Sequence, residues 1–319
     1  MYRLFTLALI AAVFSISSAF AQEYRNFTGS NGRIIEAAFL GFDEAMQSKN
    51  VDGIILDFSF CGGGWLNEAV QVVGFFIETG PIIQMQGRGG SDKQVPNVRN
   101  SANEWKGAIV ILTSKLTDNA SEMVVAALQD FGRALIVGNS TTAGYGLVSQ
   151  TGGIGRNGFG GNMADSEYGS MIFPPLSFYR VSGKSLQGGV VPDIVLPSMF
   201  ELLGSSEKDD SIESIAPVFQ YPNFAFANPQ MIETLKRNSD ARIRSNNQFR
   251  EVQRHIRQHT EKESVSLNER KYLAMMQDAG NASRARLLGE AQAHNSKIVK
   301  DFYLDEVLAI TSEYVNMIP

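Results

Sequence analysis

Short apolar runs alternate with longer segments of mixed polarity in the first part of the chain. We predict an amphipathic helix over residues 34–48, because its apolar residues fall on one helical face. These residues are Ile34, Ile35, Ala38, Phe39, Phe42 and Met46. The next run, Gly53–Phe58, is nearly continuous in apolar residues and is typical of a strand buried on both faces of a parallel sheet. A glycine loop then leads into a helical pattern through Ile77, and Pro81–Met85 is predicted as the following strand.

The same order of elements returns further along the chain. Ala108–Thr113 is predicted as a strand, Asn119–Asp130 as a helix, and Ala134–Val137 as another strand. Strands that alternate with helices indicate an α/β fold with a mostly parallel sheet and crossover helices. Residues 138–170 are rich in Gly, Ser and Asn with little periodicity, and we predict a long loop region there.

The composition changes after Pro192–Ser198. The acidic segment SSEKDDSIES follows, and beyond Pro229 the chain is polar, rich in Arg, Gln and Glu, and helical by pattern. We therefore predict an α/β core over residues 22–198, a linker over 199–228 and a separate, all-helical C-terminal domain over 229–319.

The N-terminus has the pattern of an export signal. Arg3 precedes the apolar run Leu4–Phe14, and small residues end in Ala19-Phe20-Ala21. We predict a cleaved signal peptide over residues 1–21 and a periplasmic or secreted mature chain. No later stretch approaches the roughly 20 apolar residues of a membrane-spanning helix, so no stable span is expected in the mature chain.

Charge and residue usage narrow the possible ligands. The net charge is −5, and it becomes −6 when Arg3 leaves with the signal, so nucleic acid is not an expected partner. Cys61 is the one cysteine, which rules out an intrachain disulfide, and all three histidines lie in the C-terminal third. We expect neither a metal site nor a cofactor.

The turn before the second helix is the strongest candidate for a site. Asn119 precedes the helix and Glu122 follows three residues later, an Asn version of the capping box. A helix start presents free N–H groups and the positive end of the dipole, which together suit an oxyanion.

Three segments resemble the tail-specific, or C-terminal processing, serine peptidases. They are VDGIILDFSFCGGGWLNEAVQVVGFFIETGPI, NASEMVVAALQDFGRALIVG and FYRVSGKSLQGGVVPDIVLPS, in the family's order. The resemblance covers roughly residues 30–200 and continues weakly into the helical part, as in the larger periplasmic members. It implies a ClpP/crotonase-like protease core and cleavage near polypeptide C-termini by a serine–lysine pair.

Two positions depart from that chemistry. The family's S-A-S-E segment matches residues 119–122, so the nucleophile position holds Asn119, and the F-G-K-G turn places Tyr145 at the position of the lysine base. No lysine occurs between Lys115 and Lys184, whereas the family's aspartate is kept as Asp130. We predict a catalytically inactive member.

The groups that bind substrate oxygen are retained. The N–H groups of Gly62, Gly63, Gly64 and Ala120 remain able to form an oxyanion-type site, although Ser59-Phe60-Cys61 replaces the family's arginine and asparagines before the glycines. The resemblance therefore implies a peptide-binding or regulatory role, with a polypeptide C-terminus or an active protease relative as partner. We expect no PDZ module, because few residues separate the signal from the first predicted helix.

An active endopeptidase with a relocated nucleophile is the alternative. Ser121 and Cys61 are candidate nucleophiles, and Ser114 or Thr117 beside Lys115 is a further possible site. A normal tyrosine has a pKa near 10, so Tyr145 is a poor general base.

Overall fold

A seven-stranded, mostly parallel sheet lies at the centre of the fold, and a four-stranded antiparallel sheet lies beside it. The fold is that of a computed structural model, which describes residues 5–11, 24–28, 34–39, 52–87, 90–91, 93–99, 105–155, 158–161, 168–203, 213–218, 224–260 and 301–318. The strands are β1 (Phe5–Ala11), β2 (Tyr24–Thr28), β3 (Ile34–Phe39), β4 (Gly53–Asp57), β5 (Gly80–Pro81), β6 (Gln84–Gly87), β7 (Asn97–Val98), β8 (Ala108–Thr113), β9 (Leu135–Gly138), β10 (Leu147–Gly155), β11 (Gly158–Gly161), β12 (Ser170–Tyr179) and β13 (Ile194–Val195).

Five α-helices and one 3-10 helix belong to the described residues. They are α1 (Leu66–Gly74), α2 (Ala120–Asp130), the 3-10 helix (Met199–Leu202), α3 (Pro229–Ser245), α4 (Asn247–Thr260) and α5 (Phe302–Val315). None of these helices combines the length and the hydropathy that a membrane crossing needs.

The large sheet has the strand order β13-β9-β8-β4-β1-β3-β2. Its neighbours are parallel except for β2, which pairs antiparallel with β3 at the edge. The predicted α/β class with a mostly parallel sheet is confirmed.

The central strand β4 is buried on both faces, as its apolar run predicts. Ile54 and Leu56 pack on one face with residues of α1 and α2, whereas Ile55 packs on the other face with residues of α3 and α5. Alternate side chains of a strand point to opposite faces, so a run of apolar residues satisfies two hydrophobic layers at once.

The C-terminal helices share this second layer. Leu235, Phe249 and Leu308 are buried in one cluster with Val110 and Val137 of the sheet. The predicted helical C-terminal region is present, and its helices cover the second face of the sheet. Both ends of the predicted linker also pack, since Met199 is buried and the N–H of Phe224 donates to the carbonyl of Phe131 at 2.8 Å.

The structure near the N-terminus differs from the predicted helix and signal peptide. Residues 34–39 form strand β3 and not the start of a helix, because a short apolar run has no decisive period; residues 40–48 lie outside the described residues. The predicted signal peptide overlaps β1, which lies between β4 and β3. Cleavage after Ala21 would therefore remove that strand from the sheet.

The prediction of a long loop over residues 138–170 is wrong. Strands β10, β11 and part of β12 occupy this region and form an antiparallel sheet with β6. Glycines such as Gly152 and Gly153 weaken the alternation of apolar and polar residues that identifies strands in a sequence. The predicted strand Pro81–Met85 is likewise split between β5 and β6, and β6 pairs with β12 outside the parallel sheet.

Candidate functional site

Two loops meet beyond the carboxyl ends of the neighbouring strands β4 and β8. The N–H of Asp118 donates to the carbonyl of Cys61 at 3.1 Å, and Oγ of Ser121 donates to the same carbonyl at 2.8 Å. These bonds fix the glycine loop, Gly62 to Gly64, beside the start of α2. Such a crevice outside the strand ends is the usual ligand-binding position of parallel sheets.

Asn119 adopts an unusual backbone conformation at the tip of this turn. Its φ is 53° and its ψ is −118°. These angles match the first central position of a type II′ turn, a conformation that favours glycine. A non-glycine residue in such a region stores about 1–3 kcal/mol of strain, which is commonly found at functional sites.

The glycine loop approaches Asn119 closely. A Cβ atom added at Gly63, where φ is 128°, would lie 3.2 Å from Cβ of Asn119. Gly62, by contrast, has open space around the same position. The loop therefore depends on glycine at position 63 in order to lie against the turn.

Backbone donors are available where the loop and the helix start meet. Within the described part of the chain, the N–H groups of Gly62, Gly63, Gly64 and Ala120 have no hydrogen-bond acceptor. Gly62 and Gly64 are exposed, so a ligand can reach this edge. Free N–H groups at a helix start can bind a carboxylate or a carbonyl oxygen.

Glu122 connects the turn at Asn119 with the turn that contains Tyr145, the two positions predicted to match the family's catalytic pair. Its Oε2 accepts the N–H of Asn119 at 3.2 Å, and its Oε1 accepts the N–H of Gly144 at 2.8 Å and the hydroxyl of Thr142. The first bond is the glutamate half of the predicted capping box. The second set was not predicted, because no local pattern relates Glu122 to a turn twenty residues later.

Burial raises the pKa of Glu122 from 4.5 to about 7, against the lowering effect of the bonds from Thr142 and Gly144. The neighbouring carboxylate of Asp118 raises it further. Burial also raises the pKa of Asp118. Two close carboxyl groups with little solvent resist being ionised together.

Tyr145 lies in the turn that Glu122 holds. Its side chain is 57% exposed, between Gly144 at φ 77° and Gly146 at φ 61°. A Cβ atom at Gly144 would lie 2.4 Å from the nitrogen of Gly189, so the turn is pressed against the Gly188-Gly189 segment. The backbone of the predicted base position is thus well fixed, although it carries an exposed phenol.

The candidate replacement nucleophiles donate their protons to backbone carbonyls. The buried hydroxyl of Ser121 donates to the carbonyls of Cys61 and Asp118, at 2.8 and 2.6 Å. Those of Ser114 and Thr117 donate to the carbonyls of Ser59 and Phe58. Such bonds hold the two loops together.

The thiol of Cys61 and the amine of Lys115 each lie close to an oxygen atom. Sγ of the buried Cys61 lies 3.7 Å from the carbonyl oxygen of Gly63. Lys115 is held by Glu201, with Nζ 3.6 Å from a carboxylate oxygen. In the described ranges, no group of three or more His, Cys, Asp and Glu side chains is arranged to hold a metal ion.

Asp130 lies at the other end of α2, about 15 Å from Asn119 along the helix axis. Its Oδ1 accepts two bonds from Arg180, at 2.6 Å from Nη2 and 3.0 Å from Nε. The neighbouring Arg133 is fully buried and donates to the carbonyls of Phe76 and Gly107. The structure thus brings Asn119, Ala120 and the glycines together, and Glu122 joins the turn of Tyr145 to them. Asp130 lies apart in a separate ion pair.

Two family models match consecutive parts of the chain. A family model described as Peptidase family S41 matches residues 24–196, and one described as the C-terminal domain of tail specific protease (DUF3340) matches residues 212–316.

Two curated relatives match about half of the chain. The tail-specific protease of Haemophilus influenzae is 30% identical over 171 residues, which is 52% of this chain and 24% of the relative. The carboxy-terminal-processing protease of Bartonella bacilliformis is 29% identical over 190 residues, 57% of this chain and 41% of the relative. The chain thus spans less than half the length of either relative.

Among solved structures, the photosystem II D1 C-terminal processing protease aligns with a TM-score of 0.43 at 19% identity. That alignment covers 56% of this chain and 49% of the other.

Proposed function

Because the chain belongs to peptidase family S41, we propose that it is an exported, catalytically inactive member that binds polypeptide C-termini. The observation that carries the proposal is Asn119, which occupies the strained turn beside N–H groups that have no acceptor among the described residues. A carboxamide nitrogen is not nucleophilic, so the position that would attack a peptide bond has no attacking group.

The missing base supports the same proposal. Serine is a weak nucleophile at its own pKa and needs an adjacent proton acceptor. Tyr145 is exposed in the turn that matches the family's lysine, and Lys115 is held by Glu201. A return of activity would therefore require two new groups.

The retained donors favour an anionic end group as ligand. A carboxylate suits this position, because four N–H groups lack an acceptor within the described ranges and the positive end of the α2 dipole lies beside them. A peptide C-terminus has such a carboxylate and also presents carbonyl oxygens. Exposed Trp65, next to the glycine loop, adds apolar surface for a side chain of the peptide. If an active relative recognises the same C-termini, this chain would compete with it for substrate and so regulate it.

Binding and hydrolysis are tested together with the full chain. Peptides with a free C-terminus and the same peptides with an amidated C-terminus are titrated by calorimetry, and casein and the free peptides are incubated with the protein. We expect tighter binding of the free carboxylate and no cleavage product.

Two glycine variants make the test specific to the site. Gly63→Ala places a methyl group against Asn119 and should weaken binding by about tenfold or more, which is about 1.4 kcal/mol. Gly62→Ala has space for the methyl group and should bind like the parent. Equal affinity for free and amidated peptides, or cleavage that disappears in Ser121→Ala or Cys61→Ala, would overturn the proposal.

A further inference from the structure

We propose that Asn119 is a site of spontaneous backbone modification, in which its side chain closes onto the nitrogen of Ala120 and then opens to aspartate or isoaspartate. This inference goes beyond the proposed function and does not depend on it. It rests on the backbone geometry of Asn119 and on the availability of the Ala120 nitrogen.

The backbone angles are those that ring closure needs. The five-membered succinimide ring contains the Cα–C bond of asparagine and the next nitrogen, so Cβ and that nitrogen must nearly eclipse each other. In an L residue this occurs at ψ of about −120°, and the type II′ turn combines it with φ of about +60°. Asn119 has φ 53° and ψ −118°. An unfolded chain rarely visits this region, because it is sterically disfavoured for residues other than glycine.

The attacking nitrogen is not engaged elsewhere. The N–H of Ala120 has no acceptor among the described residues, so the attacking nitrogen does not have to give up a hydrogen bond of its own. Asn119 itself is only half-buried, and the exposed Gly62 and Gly64 lie in the adjoining loop. Water can therefore reach the ring and ammonia can leave.

Other asparagines of the chain provide the contrast. Asn246 and Asn316, each at the C-terminal end of a helix, have ψ values of 123° and −13°. Neither conformation brings the next nitrogen toward Cγ. The geometry therefore singles out Asn119 from these two residues.

The reaction balances without an added reagent other than water. The Ala120 nitrogen forms a bond to Cγ of Asn119, the bond from Cγ to Nδ2 breaks, and Nδ2 leaves as ammonia with the former amide proton of Ala120. Water then opens one of the two carbonyl–nitrogen bonds of the ring. Opening at the side-chain carbonyl gives aspartate, and opening at the main-chain carbonyl gives isoaspartate, with no change in oxidation state.

The modification would change the site in a defined way. The ring removes the Ala120 N–H, and either product adds a carboxylate beside the remaining donors. A second anion would then be repelled, so the conversion would act as a slow, one-way loss of anion binding.

The experiment follows the amide in the full-length protein. Folded protein and protein in concentrated urea are incubated in parallel in neutral buffer, and peptides that contain Asn119, Asn246 and Asn316 are analysed by mass spectrometry and by isoaspartate labelling. We expect Asn119 to convert about tenfold faster in the folded chain than in urea, because folding already holds the reactive conformation. Asn246 and Asn316 should convert no faster in the folded chain than in urea.

The matched control is Asn119→Gln, whose longer side chain would have to form a six-membered ring. That variant should show no conversion in the peptide. Conversion of Asn119 that is slower in the folded chain than in urea would overturn the proposal. So would a mass change that persists in Asn119→Gln.

Discussion

The N–H of Gly144 donates to Oε1 of Glu122 at 2.8 Å, and through this bond the turn that contains Tyr145 is attached to the start of α2. The other oxygen of the same carboxylate accepts the N–H of Asn119 at 3.2 Å. The backbone on both sides of the site is therefore held by one buried side chain. This framework does not require the nucleophile or the base to be present.

We expect that restoring both groups restores weak peptide hydrolysis. Asn119→Ser combined with Tyr145→Lys supplies a hydroxyl at the strained turn and an amine in the turn that Glu122 holds. A positioned general base contributes about a hundredfold or more, so Asn119→Ser alone should be slower by that factor. The measurement is cleavage of a labelled peptide. A folded double variant that is no faster than Asn119→Ser would mean that the side chain at position 145 is not directed into the site.

The strain at Asn119 predicts a stabilising substitution. Asn119→Gly should raise the free energy of unfolding by about 1 kcal/mol, because relief of 1–3 kcal/mol of strain exceeds the entropic cost of a new glycine. Urea unfolding measures the change. Asn119→Ala is the control, since alanine keeps the strain. Equal midpoints for the two variants would contradict the strain at this position.

The raised pKa of Glu122 predicts that its contribution to stability falls as the pH rises. In the unfolded chain the carboxyl ionises near its ordinary value of 4.5, whereas in the folded chain it holds its proton to about 7. Between these values the unfolded state has lost more protons, so ionisation favours unfolding by up to about 3 kcal/mol at neutral pH. Below pH 4.5 both states are protonated and this penalty disappears.

Unfolding free energies measured across that pH range, for the parent chain and for Glu122→Gln, test this expectation. The variant does not titrate at position 122 and should lose less stability as the pH rises. Asp118→Asn should have a smaller effect in the same direction, because it removes the neighbouring carboxylate that raises the Glu122 pKa. Parallel pH profiles of unfolding free energy for the parent chain and Glu122→Gln would contradict a raised pKa of Glu122 in the folded chain.

Asp130 is expected to affect stability and not ligand binding. Its ion pair with Arg180 has little solvent exposure, 12% and 14% for the two side chains. Asp130→Ala should lower the free energy of unfolding by about 2–4 kcal/mol, since a largely buried guanidinium loses its partner. In a double-mutant cycle, Arg180→Ala should cost less in the Asp130→Ala background than in the parent. A stable Asp130→Ala variant that no longer binds peptide would instead assign Asp130 to the site.

The buried hydroxyl of Tyr314 predicts that its removal will not destabilise the chain. Its side chain is fully buried in the cluster that joins α5 to the sheet, and within the described chain its hydroxyl has no hydrogen-bond partner. Tyr314→Phe should leave the free energy of unfolding unchanged or raise it by up to about 2 kcal/mol, because it removes a buried hydroxyl that lacks a partner. The thermal unfolding temperature should then be unchanged or higher. Tyr314→Ala should lower it strongly, because it leaves a large cavity. Destabilisation by phenylalanine would mean that the hydroxyl has a partner.

Much of the central fold was predictable from the sequence, because its residues are locally consistent. Ala108–Leu112 is apolar throughout and lies between Gly107 and the polar pair Thr113-Ser114, and the strand β8 has the predicted bounds, Ala108–Thr113. The helix that follows has a glutamate at its third position, and Asn119 is its N-cap as predicted. The second sheet was missed because β10 and β11 are rich in glycine and are specified by antiparallel pairing with distant strands.

Only part of the candidate site could be predicted from the sequence, because the rest depends on contacts between distant residues. Asn119, Ala120 and the glycine loop belong to short motifs, and the structure brings them together. Arg180 as the partner of Asp130 lies fifty residues away in sequence, and Glu122 reaches Thr142 and Gly144 across a turn. Such contacts are products of the whole fold, so no local pattern indicates them.

The apolar second face of the sheet makes the C-terminal helices necessary for a stable chain. Helices α3, α4 and α5 cover apolar side chains that would otherwise meet water. Without these helices that face would be exposed to solvent, and we expect a chain truncated before α3 to aggregate and to be degraded rapidly. The integrity of the sheet thus depends on the C-terminal helices, whatever chemistry the loops at the strand ends carry out.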